Sequence, residues 1–129
     1  METGWELDGD PVTGAWVEGT PGPEIIEELE PAEEDVVVSG KQTLDAFLST
    51  PLDYILRANR IEWVALVGFH TNWCVESTAR SAYDRGYRVA VVSDGTATDT
   101  QAEQDYAEEY IFPNIGEVLD AEEFLDSLH

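Results

Sequence analysis

The chain has 129 residues, 43% of them hydrophobic and 10% aromatic. That is one domain's length with enough apolar content for a packed core, which excludes a disordered chain, a collagen-like repeat and a simple coiled coil. With 28 Asp and Glu against 6 Lys and Arg, the net charge is -22, and nucleic acid and anionic membrane surfaces are excluded as partners. No apolar run approaches the ~20 residues of a membrane helix, and the N-terminus lacks the basic start and apolar stretch of a signal peptide, so the expected compartment is the cytoplasm. Self-repulsion of this size is screened by salt, and the balance reads as adaptation to a salt-rich cytoplasm.

Residues 1–23 are rich in Gly, Pro and Asp, with isolated Trp5 and Trp16, and read as an irregular arm on a single domain spanning 1–129. A short helix is predicted over Glu24–Glu30, with Ile25, Ile26 and Leu29 on one side. Asp35-Val-Val-Val-Ser-Gly40 reads as a buried strand, because three consecutive β-branched residues suit a sheet covered on both faces. Thr50-Pro51-Leu52-Asp53 is a helix start, with a hydroxyl cap, Pro at the first helical position and an acid in the first turn. Trp63–Phe69 is a second strand, followed by a helix from Thr71 to Arg85 that stops at Gly86. Arg88–Asp94 is a third strand, and a helix follows over about Thr100–Tyr110. A short strand at Glu117–Leu119 and a helix from Ala121 end the chain. Alternating strands and helices of these lengths predict an α/β fold, doubly wound on a mostly parallel sheet.

In open α/β sheets, ligands bind beyond the carboxyl ends of the strands. Lys41 ends the first predicted strand, and Cys74 follows the second. With Thr71 as N-cap, Cys74 falls at the third helical position, where free N–H groups and the helix dipole favour a thiolate. A nearby ammonium adds to this, giving an activated nucleophile. The single cysteine excludes an internal disulfide, but by spacing alone most single cysteines simply pack as inert thiols, and a lysine at a strand end usually points into solvent.

At these residues the sequence resembles the isochorismatase-like cysteine hydrolases. Gly68-Phe-His-Thr-Asn-Trp-Cys-Val-Glu-Ser-Thr-Ala-Arg80, with Ala82 and Gly86-Tyr87, is similar to their nucleophile segment. Lys41, Asp45-Ala46-Phe47, Thr50-Pro51-Leu52 and Leu56-Arg57 resemble the segment carrying their catalytic lysine. Gly19-Thr-Pro-Gly22, Asp94-Gly-Thr-Ala97 and Gly116-Glu-Val118 fit as well. The resemblance implies a three-layer, Rossmann-like fold and hydrolysis of a C–N bond in a small amide, imide or carbamoyl compound. Cys74 would form a covalent intermediate and Lys41 would stabilise its thiolate. Backbone N–H groups of His70 and Cys74 would hold the oxyanion, and the Phe69–His70 peptide would be cis. Phe69, Trp73 and Trp16 are the candidate walls of the substrate pocket, each with plain packing as its alternative, and His70 is expected to line it.

The same resemblance implies a general-base aspartate on the family's first strand, and this sequence has no such segment. Asp8 and Asp10 follow no apolar strand, and the role does not transfer to them. The chain reads as starting after the family's first two strands, which would separate the Lys41 and Cys74 strands in the sheet and leave both with unpaired edges. A truncated product is the first explanation and a split enzyme completed by a partner chain the second, and the resemblance separately implies a homo-oligomer. The rival function is an inactive remnant or subunit used for binding or oligomerisation. No cofactor is expected. His70 and His129 are too few for a zinc site by themselves, although a related nicotinamidase lineage binds a metal through residues partly in the region lacking here.

Overall fold

The computed structural model describes residues 25–129, and the chain divides into two compact units, Met1–Val37 and Val38–His129. In the first unit the described residues form one 3-10 turn, Glu27–Leu29, shorter than the helix predicted over Glu24–Glu30. Ile25, Ile26 and Leu29 are exposed, so burial does not drive propagation of a helix there.

The predicted strand Asp35–Gly40 is not formed. Its residues belong to no sheet, and Val36 and Val37 are 65% and 59% exposed. Three β-branched residues favour extended backbone, but a strand exists only through its ladder of hydrogen bonds. Among the described residues the sheet is formed by the three later strands.

The second unit is that three-stranded parallel sheet with its helices. Helix α1 (Leu52–Ala58) precedes β1 (Trp63–Phe69); α2 (Glu76–Asp84) connects β1 to β2 (Arg88–Ala97); α3 (Gln101–Tyr106) leads to β3 (Gly116–Leu119); α4 (Ala121–Ser127) closes the chain. The order is β1-β2-β3, with both pairs parallel. The sequence and structure agree on an α/β fold here because each strand is an apolar run that pairs with the next after one helical crossover.

Trp63 pairs with Arg88 and Leu66 with Val91, after which the register jumps so that Gly68 faces Thr96 and Phe69 faces Ala97. The residues Val92–Gly95 therefore bulge opposite Val67, bending β2 at its carboxyl end. The bulge extends β2 beyond the predicted end at Asp94. On the other side, Val89 faces Gly116 and Val92 faces Leu119.

The core is Phe47, Val75, Ala79, Ala82, Tyr87, Val89, Val91, Ala107 and Phe112, all buried. Phe47 and Tyr87 stack with centroids 5.9 Å apart, flanked by the guanidinium groups of Arg85 and Arg57. Tyr87 donates its hydroxyl to Asp53 at 2.7 Å. That bond, helped by Arg57 and Arg85, holds the Asp53 carboxyl below its ordinary range, while burial and Asp53 raise the Tyr87 phenol. Two of the five arginines, Arg57 and Arg85, are thus engaged where α1 meets the start of β2. At the opposite end of the sheet, Asp94 accepts from the Ala121 amide at 2.7 Å, and Asp120 and Glu123 cap α4 reciprocally. No helix among the described residues is long and apolar enough to cross a membrane.

Candidate active site

The site is built where β1 ends. The Phe69–His70 peptide bond is cis, and the chain then enters a wide π-helical turn, Thr71–Val75, before α2 begins. Val75 donates to the His70 carbonyl at 3.3 Å and Trp73 to the same oxygen at 3.1 Å. Here the sequence expectation needs correction. The N-cap of the turn is His70 rather than Thr71, and Cys74 is the fourth residue of a π-helical turn rather than the third of an α-helix. The Thr71 hydroxyl is unavailable as a cap because it donates to Gln104 Oε1 at 2.5 Å.

Lys41 reaches Cys74 without a strand beneath it. Its Nζ lies 3.6 Å from Cys74 Sγ and also donates to the Thr43 carbonyl. What brings this loop to the cysteine is Thr78, one helical turn beyond Cys74 and 7% exposed. Its Oγ1 accepts from the Ala46 amide at 3.0 Å and donates to the Leu44 carbonyl at 3.5 Å. Asp45 accepts from the Phe47 amide at 2.8 Å, and the Phe47 ring is sunk in the core. The loop that carries Lys41 and the helix that follows Cys74 are therefore locked together by one threonine and one phenylalanine. Sequence reasoning missed Thr78; its signal was a hydroxyl on the inward face of a predicted helix, which must find a partner when buried.

The other predicted residues are distributed around this pair. Cys74 and His70 are half-buried. His70 Nε2 lies 3.3 Å from Asp99 Oδ1, and its ring meets the Phe69 ring edge-on at 5.5 Å. Phe69 and Trp73 are exposed, at 66% and 51%. Trp16, Asp8 and Asp10 lie outside the described residues. A groove of about 330 Å³ runs between α1 and β1, lined by Phe47, Leu52, Leu56, Trp63, Val64 and Leu66 among others, with neither Cys74 nor Lys41 in its wall.

Further side chains near the turn come from the end of β2 and from α3. Asn72 donates to Glu103 at 3.2 Å and accepts from the Thr98 hydroxyl at 2.5 Å. Hydrogen bonds from Thr100 and then Asn72 hold the Glu103 carboxyl below its ordinary range. Among the described residues no three His, Cys, Asp or Glu side chains converge as metal ligands. No carboxylate among them lies within ion-pair distance of Lys41.

A family model described as an isochorismatase domain matches residues 1–123. The chain belongs to the isochorismatase family. An uncharacterized isochorismatase family protein of Bacillus subtilis (strain 168), YwoC, is 36% identical over 105 residues, covering 81% of this chain and 55% of that protein. The crystal structure of an isochorismatase-like hydrolase from Alkaliphilus metalliredigens superposes with a TM-score of 0.83 at 33% identity, over 88% of this chain and 62% of that one. N-carbamoylsarcosine amidase from Thermoplasma acidophilum superposes with a TM-score of 0.71 at 34% identity, over 87% of this chain and 65% of that one. The isochorismatase fold is thus shared, while the chain spans only 55% to 65% of these three relatives.

Proposed function

We propose that the chain carries the nucleophile half of a cysteine hydrolase that cleaves a C–N bond of a small amide, imide or carbamoyl compound. One observation carries this reading: the only cysteine and the only lysine of the sequence meet at 3.6 Å at the carboxyl end of β1, where an α/β sheet presents its ligands. The likeness to N-carbamoylsarcosine amidase from Thermoplasma acidophilum supports the substrate class.

In this mechanism the Cys74 sulfur attacks the substrate carbonyl carbon, and the electron pair of the C=O bond moves to oxygen. Backbone N–H groups of His70 and Cys74 receive the oxyanion. The general base takes the Cys74 thiol proton and gives it to the nitrogen as the C–N bond breaks and the amine leaves; water, losing a proton to the same base, then cleaves the S–acyl or S–carbamoyl bond, and that proton returns to the sulfur. Lys41 sits beside the sulfur as an ammonium and stabilises its negative charge. Phe69 and Trp73 form the apolar wall. The general base is a carboxylate on a strand that adds to the open edge of β1, supplied by residues that this sequence does not contain. The absence of a carboxylate beside Lys41 among the described residues favours one rival reading, a subunit that binds without turning over.

Alkylation tests the nucleophile. In high salt at pH 6, iodoacetamide is expected to modify Cys74 faster in the folded protein than in a denatured control, and Lys41→Ala to remove the advantage. Equal rates in folded and denatured protein sink the nucleophile reading. Where hydrolysis of an amide is measurable, Cys74→Ala is expected to abolish it, and retained turnover overturns the mechanism.

A further inference from the structure

The turn that carries Cys74 is fastened at two consecutive residues, and neither fastening belongs to the bond-breaking steps. Thr71 is wholly buried and donates its hydroxyl to Gln104 Oε1 at 2.5 Å. The nitrogen of the same amide donates to Glu108 Oε1 at 2.7 Å and to Thr96 Oγ1 at 3.1 Å. A carboxylate only accepts, so Glu108 dictates which end of the Gln104 amide is nitrogen. The amide oxygen then faces Thr71, and the Thr71 hydroxyl has to donate.

Asn72 repeats the device one residue on. Glu103 accepts from its nitrogen at 3.2 Å, which turns its oxygen toward the Thr98 hydroxyl at 2.5 Å. Glu103 is itself held by the Thr100 hydroxyl at 2.6 Å. Each relay therefore runs from a carboxylate through a side-chain amide to a hydroxyl, and each crosses from the segment 96–108 to the turn.

Such support has a physical reason. A π-helical turn is wider than an α-helical one and is rarely stable on its own hydrogen bonds. Here the turn must also follow an abrupt change of chain direction at the end of β1. Fixing two successive side chains from outside removes the freedom that the backbone alone would leave.

We propose that Gln104, oriented by Glu108 and assisted by Asn72, is a positioning residue. It sets the Thr71–Val75 turn, and with it the placement of Cys74 Sγ against Lys41 Nζ and the His70 and Cys74 N–H groups. The catalytic consequence rests on Cys74 being the nucleophile, whereas the clamp on the turn does not.

The test uses the full chain in high salt with two readouts: amide hydrogen exchange over residues 70–75 and the pH profile of Cys74 alkylation. Gln104→Leu and Thr71→Val are each expected to raise exchange in the turn about tenfold, while the buried part of β2 stays protected. The same variants are expected to lower alkylation at pH 6 about tenfold, because small displacements of a reacting atom cost rates of this order. Thr71→Ser, which keeps the donor, is expected to retain wild-type behaviour in both. Should Gln104→Leu or Thr71→Val not fold, Glu108→Gln carries the test: it keeps the shape and removes the acceptor-only group that orients the amide, and exchange in the turn is expected to rise. Wild-type exchange and alkylation in the folded variants overturn the positioning role. Raised exchange beside a wild-type thiol that alkylates no faster than the denatured control leaves the clamp standing and removes the nucleophile reading instead.

Discussion

Arg60 occupies a backbone conformation that its side chain does not favour. It follows α1 with a φ of +57°, at the position where Ile61 donates back to the Leu56 carbonyl at 2.9 Å and Arg60 to Arg57 at 3.0 Å. This is a Schellman closure, and α2 ends in the same way, with Gly86 at +92° and bonds from Tyr87 to Ala82 and from Gly86 to Tyr83 at 3.0 Å. No glycine stands at position 60. The bond pattern persists nonetheless, and the arginine bears the left-handed conformation. A non-glycine residue there costs roughly 1 kcal/mol, partly offset by the extra unfolded-state freedom of glycine. Arg60→Gly is therefore expected to raise the thermal midpoint by a few degrees in a calorimetric scan, and a fall in midpoint would show that the side chain contributes more than its backbone loses.

Among elements, those readable in the sequence are the ones whose own residues decide them. Trp63–Phe69 and Arg88 onward are apolar runs bounded by polar residues, and their strand character follows from composition and length. Asp35–Gly40 carries the same local signal and fails, since pairing depends on neighbours that a local reading does not contain. Cys74 and Lys41 were legible as a pair through their motifs, but the geometry joining them was not. Thr78 and Phe47 hold the lysine loop, and a π-helical turn holds the cysteine. A period of 3.6 residues does not distinguish that wider turn from the start of α2, just as it merges α3 with the turn Ala107–Ile111 into one predicted helix. The contact between β2 and β3 was equally hidden. A Cβ added at Gly116 would stand 2.2 Å from the Val89 carbonyl oxygen, so the two strands approach only because that side chain is absent. Gly116→Ala is expected to lower stability by about 2 kcal/mol or more in a denaturant titration. An unchanged midpoint would mean that β3 can shift away without cost.

At the scale of the whole molecule, two surface properties act against each other. The charge of -22 keeps copies apart and also strains each folded chain through self-repulsion. The exposed face of β1 does the opposite. Trp63, Val67 and Phe69 alternate along one side of the strand and are 47%, 64% and 66% exposed, and β1 stands at the edge of the sheet. An apolar edge strand of seven residues is a template for pairing with another chain. Salt separates the two effects. Screening is nearly complete once the Debye length falls to about 3 Å near 1 M, so added potassium chloride is expected to raise the thermal midpoint steeply at first and then level off. Association through β1 gains from the same screening. The solution mass measured by light scattering is therefore expected to climb with salt while protein concentration is held constant. Val67→Lys places an ammonium on that face, and the expected outcome is a mass that stays monomeric at every salt concentration with the rise in midpoint intact. If the variant loses the midpoint rise along with the association, the stabilisation by salt comes from assembly at β1 and not from relief of repulsion within one chain.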